Sequence, residues 1–168
     1  ARVAHDTRIK AALREAGLHC ESFNAALLHE PWEVRTGQGD PYRVFTPFWK
    51  ACAARLDALP RPVPAPARIA TPTARVASLA LEELGLQPRI RWDAGLHEAW
   101  KPGEDGALAQ LELFASGAMA RYSDGRNRPD LPETSRLSPH LHFGEVGPRQ
   151  CLAAARNAVA ERPSSQGS

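Results

Sequence analysis

Hydrophobic residues recur every three or four positions in several stretches of the chain, a spacing that predicts amphipathic helices. The first stretch is DTRIKAALREAG, in which Asp6 would cap the helix and Gly17 would end it. The second is TPFWKACAARLDAL, with Thr46 as the expected N-cap and Pro47 at the first helical position. The apolar stripe of this second helix is expected to contain Phe48, Cys52, Leu56 and Leu59.

The most regular helical pattern is PGEDGALAQLELFASGAMARY, in the second half of the chain. One face of this helix is expected to comprise Leu108, Leu111, Phe114, Ala115, Ala118, Met119 and Tyr122. Two shorter helices are expected to follow, because Ser138-Pro139 and Gly147-Pro148 each place a proline where a helix can begin.

The segments between these helices indicate more than one domain. HCESFNAALLHEP has short apolar runs that predict a strand after the first helix, as at the end of an α/β unit. A high density of prolines predicts an extended linker over residues 60–74, or alternatively a ligand for a proline-binding domain. We therefore expect a mostly α chain in which the end of an α/β unit is followed by a proline-rich linker between domains and then by further helices.

Composition narrows the class of protein only slightly. The 168 residues include 21 basic and 19 acidic side chains, so any contact with nucleic-acid phosphate would depend on the local placement of arginines. No apolar run approaches the roughly 20 residues that span a bilayer. The three cysteines, Cys20, Cys52 and Cys151, form no C-x-x-C pair and are expected to be free thiols in a reducing cytosol.

Candidate binding chemistry concentrates in the stretch TSRLSPHLHFGE. Thr134, Ser135 and Ser138 offer hydroxyl donors. Arg136 adds a planar guanidinium, and nearby helix N-termini would add backbone N–H groups. This set suits a phosphate or pyrophosphate, and Tyr122 could line the same pocket. Helix capping combined with an arginine ion pair is the alternative explanation.

Two neighbouring features carry less specific chemistry. His140 and His142 are spaced too closely to share a helix face, and no third ligand is near. We therefore expect one packed and one solvated histidine rather than a metal site. Arg126 and Arg128 lie in a loop where they could hold nucleic-acid phosphate, or could pair with the aspartates of the same loop.

The segment WKPGEDGALAQLELFASGAMARYSDGRNRPDLPETSRLSPHLHFGEVGPRQ resembles the flavin-domain entry of the DNA photolyase/cryptochrome family. The shared pattern is a Trp, P-G-E-x-x-A, an apolar helix ending in Tyr, an R-x-x-P loop, T-S-R-L-S-P-H-L-x-F-G and P-R. SFNAALLHEPWEV and PYRVFTPFWKA also resemble the family, where they end the α/β domain and begin the connector. The resemblance covers almost the whole chain but only the middle of the family's length. TSRLSPHLHFGE resembles class I cyclobutane-dimer photolyases of bacteria more than it resembles animal cryptochromes.

The resemblance implies an N-terminal α/β antenna domain and an all-helical domain that binds FAD. It assigns residues 1–34 to the end of the Rossmann-like α/β antenna domain, 35–95 to a connector between the domains, and 96–168 to the start of the all-helical domain. In the family, reduced flavin is excited by light or by an antenna chromophore, either folate or deazaflavin. It then donates an electron to a pyrimidine dimer flipped out of UV-damaged DNA, and the dimer splits. The resemblance further implies a monomer in the bacterial cytosol and nucleoid, with no metal and no membrane association.

Residue by residue, the resemblance implies that Tyr122 lies beside the flavin. It also implies that the flavin's phosphates and ribityl chain are surrounded by Thr134, Ser135, Arg136, Leu137 and Ser138. Arg126 matches a family position that touches DNA, and Arg149 is a second DNA-binding candidate. No catalytic residue is expected in this chain, because the family's dimer-contacting residues and electron-transfer tryptophans would follow Ser168. Residues 1–168 alone are therefore expected not to repair DNA.

Glu133 departs from the family pattern, which usually has Gly before the Thr. If its carboxylate points to solvent, the flavin site is retained, and if it faces the pyrophosphate, affinity for FAD falls.

Two other interpretations stay open: a cryptochrome-type light sensor that keeps the flavin site without repair, and a degenerate relative that binds nothing. The ends of the sequence look cut, which predicts an internal piece of a longer protein.

Overall fold

The structure is a computed structural model that describes residues 2–71 and 77–161. Regular secondary structure in these ranges is helical. It comprises α1 (Arg2–Glu15), α2 (Phe45–Ala53), α3 (Ala94–Ala99), α4 (Glu104–Ser116), α5 (Tyr122–Gly125), α6 (Ser138–Phe143) and α7 (Pro148–Ala160). Short 3₁₀ turns are present at Leu56–Ala58, Glu82–Leu84 and Ala118–Arg121. The predominantly helical character of the chain is therefore confirmed.

The first helix ends where predicted but begins earlier. Gly17 has a left-handed φ of 74°. Its N–H donates to the Arg14 carbonyl at 3.0 Å, and the Leu18 N–H donates to the Leu13 carbonyl at 2.9 Å. This pair of bonds is a Schellman C-cap, which suits glycine because no Cβ opposes the left-handed backbone. Asp6 lies inside α1 and does not cap it, because the residues before it also favour helix.

The second helix also begins before its predicted start. Its N-cap is Val44, which has an extended backbone and no side-chain cap hydrogen bond, so the prediction of Thr46 as N-cap was wrong. Pro47 lies in the first turn, where its missing N–H removes no intrahelical bond. Within the helix the predicted apolar stripe is buried only at Cys52, since 39% of Phe48 stays exposed.

The strand predicted after α1 does not form, and residues 18–30 are irregular. A strand needs a neighbouring strand to pair with its backbone N–H and C=O groups. The described residues provide no such neighbour. Apolar side chains of this segment consequently remain at the surface, as Phe23 does with 82% of its area exposed.

The predicted linker is exposed wherever the structure describes it. Residues 60–71 form no helix, and each of them is exposed. Prolines cannot donate a backbone hydrogen bond, which disfavours both helix and sheet here. Just before this segment, the Asp57 carboxylate pairs with Nη2 of Arg156 in α7 at 2.6 Å. Residues 72–74, the rest of the predicted linker, lie outside the described residues.

The chain turns tightly into α4. Gly103 is its N-cap and has a φ of 97°, a conformation that favours glycine. A Cβ added to Gly106 would overlap the backbone carbonyl oxygen of Lys101. In this chain the close approach of Lys101 therefore requires a glycine at position 106, in the first turn of the helix.

The long helix predicted through Tyr122 breaks after Ser116. Gly117 leaves the helical conformation, and the chain continues through the 3₁₀ turn into α5. The buried side of α4 follows four-residue steps at Ala107, Leu111 and Ala115. The predicted face was correct at Leu111 and Ala115 and wrong at Leu108, which is 40% exposed. Leu108 follows the buried Ala107, and one residue turns the helix by about 100°, so its side chain leaves the buried side.

The hydrophobic core lies between α4 and α7 and includes one residue from each segment that flanks α6. Its buried side chains and the residues packed against them are Ala107, Leu111, Leu137, Val146, Cys151 and Ala154. Helices α6 and α7 begin at Ser138 and Pro148, as the Ser-Pro and Gly-Pro pairs predicted. The N–H of Gly147 donates to the Gln150 side chain at 2.7 Å, which completes the start of α7.

A buried polar contact joins the end of α6 to the start of α4. His140 is 2% exposed, whereas His142 is exposed, so the prediction of one packed and one solvated histidine is confirmed. Nδ1 of His140 lies 2.6 Å from Oε2 of Glu145. Two hydrogen bonds hold the pKa of the Glu145 carboxyl below its usual 4.5. The bond with His140 has the larger effect, and the bond with the backbone of Gly103 has the next largest.

The cysteines are free thiols, as their spacing in the sequence predicted. Cys52 is buried, Cys20 and Cys151 are partly buried, and all three are free thiols. Burial raises the pKa of the Cys151 thiol, whose side chain packs beside the core. In the described ranges, no helix has the length and apolar character that a bilayer crossing requires.

Acid should weaken the fold through Glu145. Because its pKa is lower in the folded than in the unfolded protein, its contribution is fully present above about pH 4.5 and is lost as the pH falls through the folded pKa. Glu145→Gln should lower stability at neutral pH and flatten the loss of stability between about pH 5 and pH 3. Urea unfolding at several pH values measures this, with Glu112→Gln on the exposed side of α4 as the matched control. A variant with the pH dependence of the unaltered protein would rule out this role for Glu145.

Candidate functional site

The turn at residues 134–138 is held by one apolar and two polar contacts, which come from the core, from α4 and from Trp100 at the end of α3. Leu137 is 4% exposed and belongs to the core. Nε2 of Gln110 donates to the Ser135 carbonyl at 3.0 Å. Nε1 of Trp100 donates to the Arg136 carbonyl at 3.5 Å. The backbone of the turn is therefore held from one side, and several of its side chains are left facing outward.

Arg136 has two unusual features. It has a φ of 52°, a left-handed conformation that side-chain-bearing residues rarely adopt. Its guanidinium carbon lies 4.8 Å from the centroid of the Trp100 ring, within the range of a cation–π interaction. The indole thus supports both the backbone and the side chain of Arg136, while this residue stays exposed.

The hydroxyls of the turn are mostly not used for helix capping. The N-cap of α6 is Leu137, and no side chain caps that helix. Ser135 Oγ accepts a long hydrogen bond from the Leu137 N–H at 3.5 Å. Thr134 and Ser138 are exposed. Capping therefore accounts for at most one of the three hydroxyls, which favours the ligand-binding interpretation of the turn.

Two small cavities lie beside the turn. Thr134 and Arg136 line a cavity of about 100 Å³ together with Gln110 and Phe114. Ser135 and Leu137 line a more apolar cavity of about 190 Å³ that also includes Phe114. Four of the five predicted turn residues therefore line a cavity, two in each, and the fifth, Ser138, begins α6.

Tyr122 does not line either cavity, but it contacts Phe114, which lines both. It begins α5 and is 41% exposed. Its ring meets the Phe114 ring edge to face, with centroids 5.8 Å apart and an interplanar angle of 89°. Because Phe114 lines both cavities, this ring contact places Tyr122 next to them.

Glu133 takes neither of the two orientations expected for it. It is 8% exposed. Its Oε1 accepts a hydrogen bond from Nε of Arg121 at 3.1 Å and lies 3.0 Å from Nη2 of the same guanidinium in an ion pair. Its side chain fills the space beside Gly125, where an added Cβ would overlap Glu133 Cβ and Cγ. Glu133 therefore lines a different cavity, with Arg121 and Gly125, from the one lined by Thr134 and Arg136.

The three arginines considered for DNA have different environments. Arg126 follows α5 and is exposed. Arg128 makes a two-bond ion pair with Asp130, at 2.9 and 2.6 Å, which lowers the pKa of that aspartate. The counter-charge alternative thus describes Arg128. Arg149 lies in the first turn of α7, and its buried Nε has no hydrogen-bond partner among the described residues.

Sequence reasoning missed the residues that hold the turn from outside. Trp100 and Gln110 precede the residues they contact by 36 and 25 positions. Trp100 was part of the recognised pattern, but nothing in the pattern predicted its stacking on Arg136. Arg121 offered no signal beyond its charge.

Comparisons with known proteins identify relatives of this chain. The family model for DNA photolyase matches residues 1–67. A deoxyribodipyrimidine photo-lyase of Agrobacterium fabrum is 41% identical over 147 residues, which are 87% of this chain and 30% of that protein. The chain belongs to the DNA photolyase/cryptochrome family. Cryptochrome-1 of Arabidopsis thaliana is 34% identical over 92% of the chain and 23% of its own length.

A solved photolyase also shares the fold of this family member. The crystal structure of a bacterial class III photolyase from Agrobacterium tumefaciens matches with a TM-score of 0.88 and 38% identity. The match covers 96% of this chain and 33% of that one. The chain thus spans about a third of these photolyases. The solved relative is named as a class III photolyase, whereas the sequence led us to expect a class I photolyase.

The contact between Gly125 and Glu133 predicts a compensating pair. Gly125→Ala should destabilise the photolyase-family chain by about 1–3 kcal/mol, because the new Cβ overlaps Glu133. Glu133→Gly alone should also destabilise, because it empties a packed site and leaves Arg121 without its partner. The double variant should be more stable than the sum of the two changes predicts, by about 0.5–3 kcal/mol. Denaturant unfolding of all four proteins measures the coupling. Additive changes would show that the two positions do not share this space.

Proposed function

We propose that the intact protein containing this chain is a light-driven, FAD-dependent lyase that splits cyclobutane pyrimidine dimers in UV-damaged DNA. The observation that carries the proposal is the turn at 134–138. Its backbone is bound to α4 while Arg136, Thr134 and Ser138 stay exposed. The names of the photo-lyase relatives support the same activity. The cryptochrome relatives make a blue-light photoreceptor the second candidate.

The donor set of the turn fits the phosphates of FAD. Arg136 supplies charge-assisted hydrogen bonds to phosphate oxygen, and the Thr134 and Ser138 hydroxyls add neutral ones. Ser135 and Leu137 would lie along the ribityl chain, and Tyr122 beside the flavin. When bound and reduced, the flavin supplies the electron that opens the dimer. This chain's contribution is to hold the cofactor's charged end in one orientation.

Glu133 is compatible with this proposal. A carboxylate directed at the pyrophosphate would repel it. Here the carboxylate is instead hydrogen-bonded to Arg121 in a separate cavity. Position 133 can therefore carry an acid without placing negative charge among the donors of the turn.

Arg126 and Arg149 are the proposed DNA contacts. Arg126 is exposed, and a guanidinium in such a position would hold backbone phosphate without reading sequence. An antenna chromophore, folate or deazaflavin, would bind to parts of the protein beyond this chain. By this proposal residues 1–168 supply part of the cofactor clamp, and they do not repair DNA alone. The intact protein would act as a monomer in the bacterial cytosol.

Repair by the intact protein is the direct test. Dimer-containing DNA is incubated with the purified protein, one sample in the dark and one under near-UV or blue light. Dimers should disappear only in the illuminated sample. Persistence of the dimers with a protein that retains FAD would contradict repair and favour the photoreceptor.

Removing the Arg136 guanidinium should weaken FAD binding. Arg136→Gly is the sharper variant, because glycine accepts the φ of 52° without strain. Each lost charge-assisted bond is worth about 1.5–3 kcal/mol, so FAD affinity should fall about tenfold or more. Flavin absorbance after purification and titration of the apoprotein measure this. Arg128→Ala, in the nearby Asp130 ion pair, is the matched control. Equal FAD affinity in all three proteins would exclude the clamp role.

A further inference from the structure

Glu133 brings a carboxylate next to the proposed phosphate-binding turn, because it directly precedes Thr134. Consecutive Cα atoms are only about 3.8 Å apart, and a glutamate side chain is long and flexible. A Glu133 carboxylate directed at the turn would therefore compete for the same donors that are proposed to bind the flavin phosphates. The orientation of this one side chain decides whether the turn attracts or repels an anion.

Two contacts keep the Glu133 side chain out of the turn. Its Oε1 accepts a hydrogen bond from Nε of Arg121 at 3.1 Å and lies 3.0 Å from Nη2 of the same guanidinium. Gly125 provides the space, because a Cβ at that position would overlap the Glu133 side chain. Glu133 consequently lines a cavity with Arg121, Asp124 and Arg128, and it lines neither cavity beside the turn.

The placement of Glu133 depends on Arg121. Glu133 is 8% exposed, and its Oε2 is buried with no hydrogen-bond partner in the part of the chain that the structure describes. A buried carboxylate with an unsatisfied oxygen is unfavourable unless a cation compensates its charge. Arg121 supplies that cation. Without it, the carboxylate would gain free energy by moving to water or to the hydroxyl and N–H donors of the turn.

We propose that Arg121 is a positioning residue for the flavin site, whose guanidinium holds the Glu133 carboxylate away from the cofactor's phosphates. The inference rests on the proposed function, since it gives Arg121 an effect on FAD affinity through Glu133. Arg121 itself lines neither cavity beside the turn. The alternative is a purely architectural ion pair, which joins the residue before Tyr122 to the residue before Thr134.

Titration of FAD into the apo form of the intact protein separates these two roles. Arg121→Met keeps an apolar stem but removes the charge. It should lower FAD affinity about tenfold at low salt, because the freed carboxylate repels the phosphates. The loss should shrink towards about 1 M salt, where charges are screened over about 3 Å.

A second change at Glu133 makes the test specific. Arg121→Met combined with Glu133→Gln should restore FAD affinity, since glutamine leaves no charge to be released. An architectural ion pair predicts the opposite, because the double variant still lacks the pair. Arg128→Met is the matched control. Arg128 lines the same cavity as Arg121 and pairs with Asp130, which lines neither cavity beside the turn, so FAD affinity should not change.

Gly125→Ala displaces Glu133 in a different way, by overlap with its side chain. It should also lower FAD affinity, again with recovery on Glu133→Gln. This variant decides the result if Arg121→Met does not fold.

Equal FAD affinity in Arg121→Met and the unaltered protein would overturn the inference, and so would a double variant that binds as weakly as Arg121→Met. These outcomes differ from a failure of the proposed function. An unaltered protein that binds no FAD, or whose FAD affinity does not depend on Arg136, contradicts the flavin clamp and this inference together. Arg136-dependent binding that is indifferent to Arg121 contradicts the inference alone.

Discussion

The candidate site depends on the burial of Leu137 against α4. Burying a leucine side chain contributes about 1.5–3 kcal/mol, more than the roughly 1 kcal/mol of a typical net hydrogen bond. Leu137 meets Ala107, Leu111 and Val146 in the core, and the residues on either side of it can point only outward. The hydrogen bonds from Gln110 and Trp100 then select the orientation of the turn. Hydrophobic burial thus locates the turn, and polar contacts orient it.

Local signals in the sequence were most reliable where one residue type decides the backbone. Gly17 ends α1 because it takes a left-handed φ, and the Ser-Pro and Gly-Pro pairs begin α6 and α7. The failures at the strand and at Leu108 came where distant structure decides. The strand after α1 needs a partner strand that the described residues do not provide. Leu108 has the right spacing for the apolar face, but α4 meets α7 through Ala107 and Leu111, one position around the helix.

In the candidate site, too, the groups with local sequence signals were predicted and the distant contacts were not. The hydroxyls and the guanidinium of TSRLS were visible in the sequence, because phosphate binding requires those groups. Their supports were not, because a contact across 25 or 36 residues has no short-range pattern. Glu133 shows the limit most clearly. Sequence comparison marked it as a departure from its family, but only the structure shows that the missing side chain at Gly125 makes room for it.

The left-handed backbone of Arg136 connects the fold to the proposed clamp. Holding a side-chain-bearing residue there costs of order 1–3 kcal/mol, and a glycine at this position would avoid that cost. Trp100 offsets part of it, through its N–H on the Arg136 carbonyl and its ring beneath the guanidinium. A fold selected only for stability would have no use for this combination, whereas a site that must direct a guanidinium at a phosphate does. The strain, the indole support and the exposed charge therefore support the proposed role of this arginine in binding phosphate.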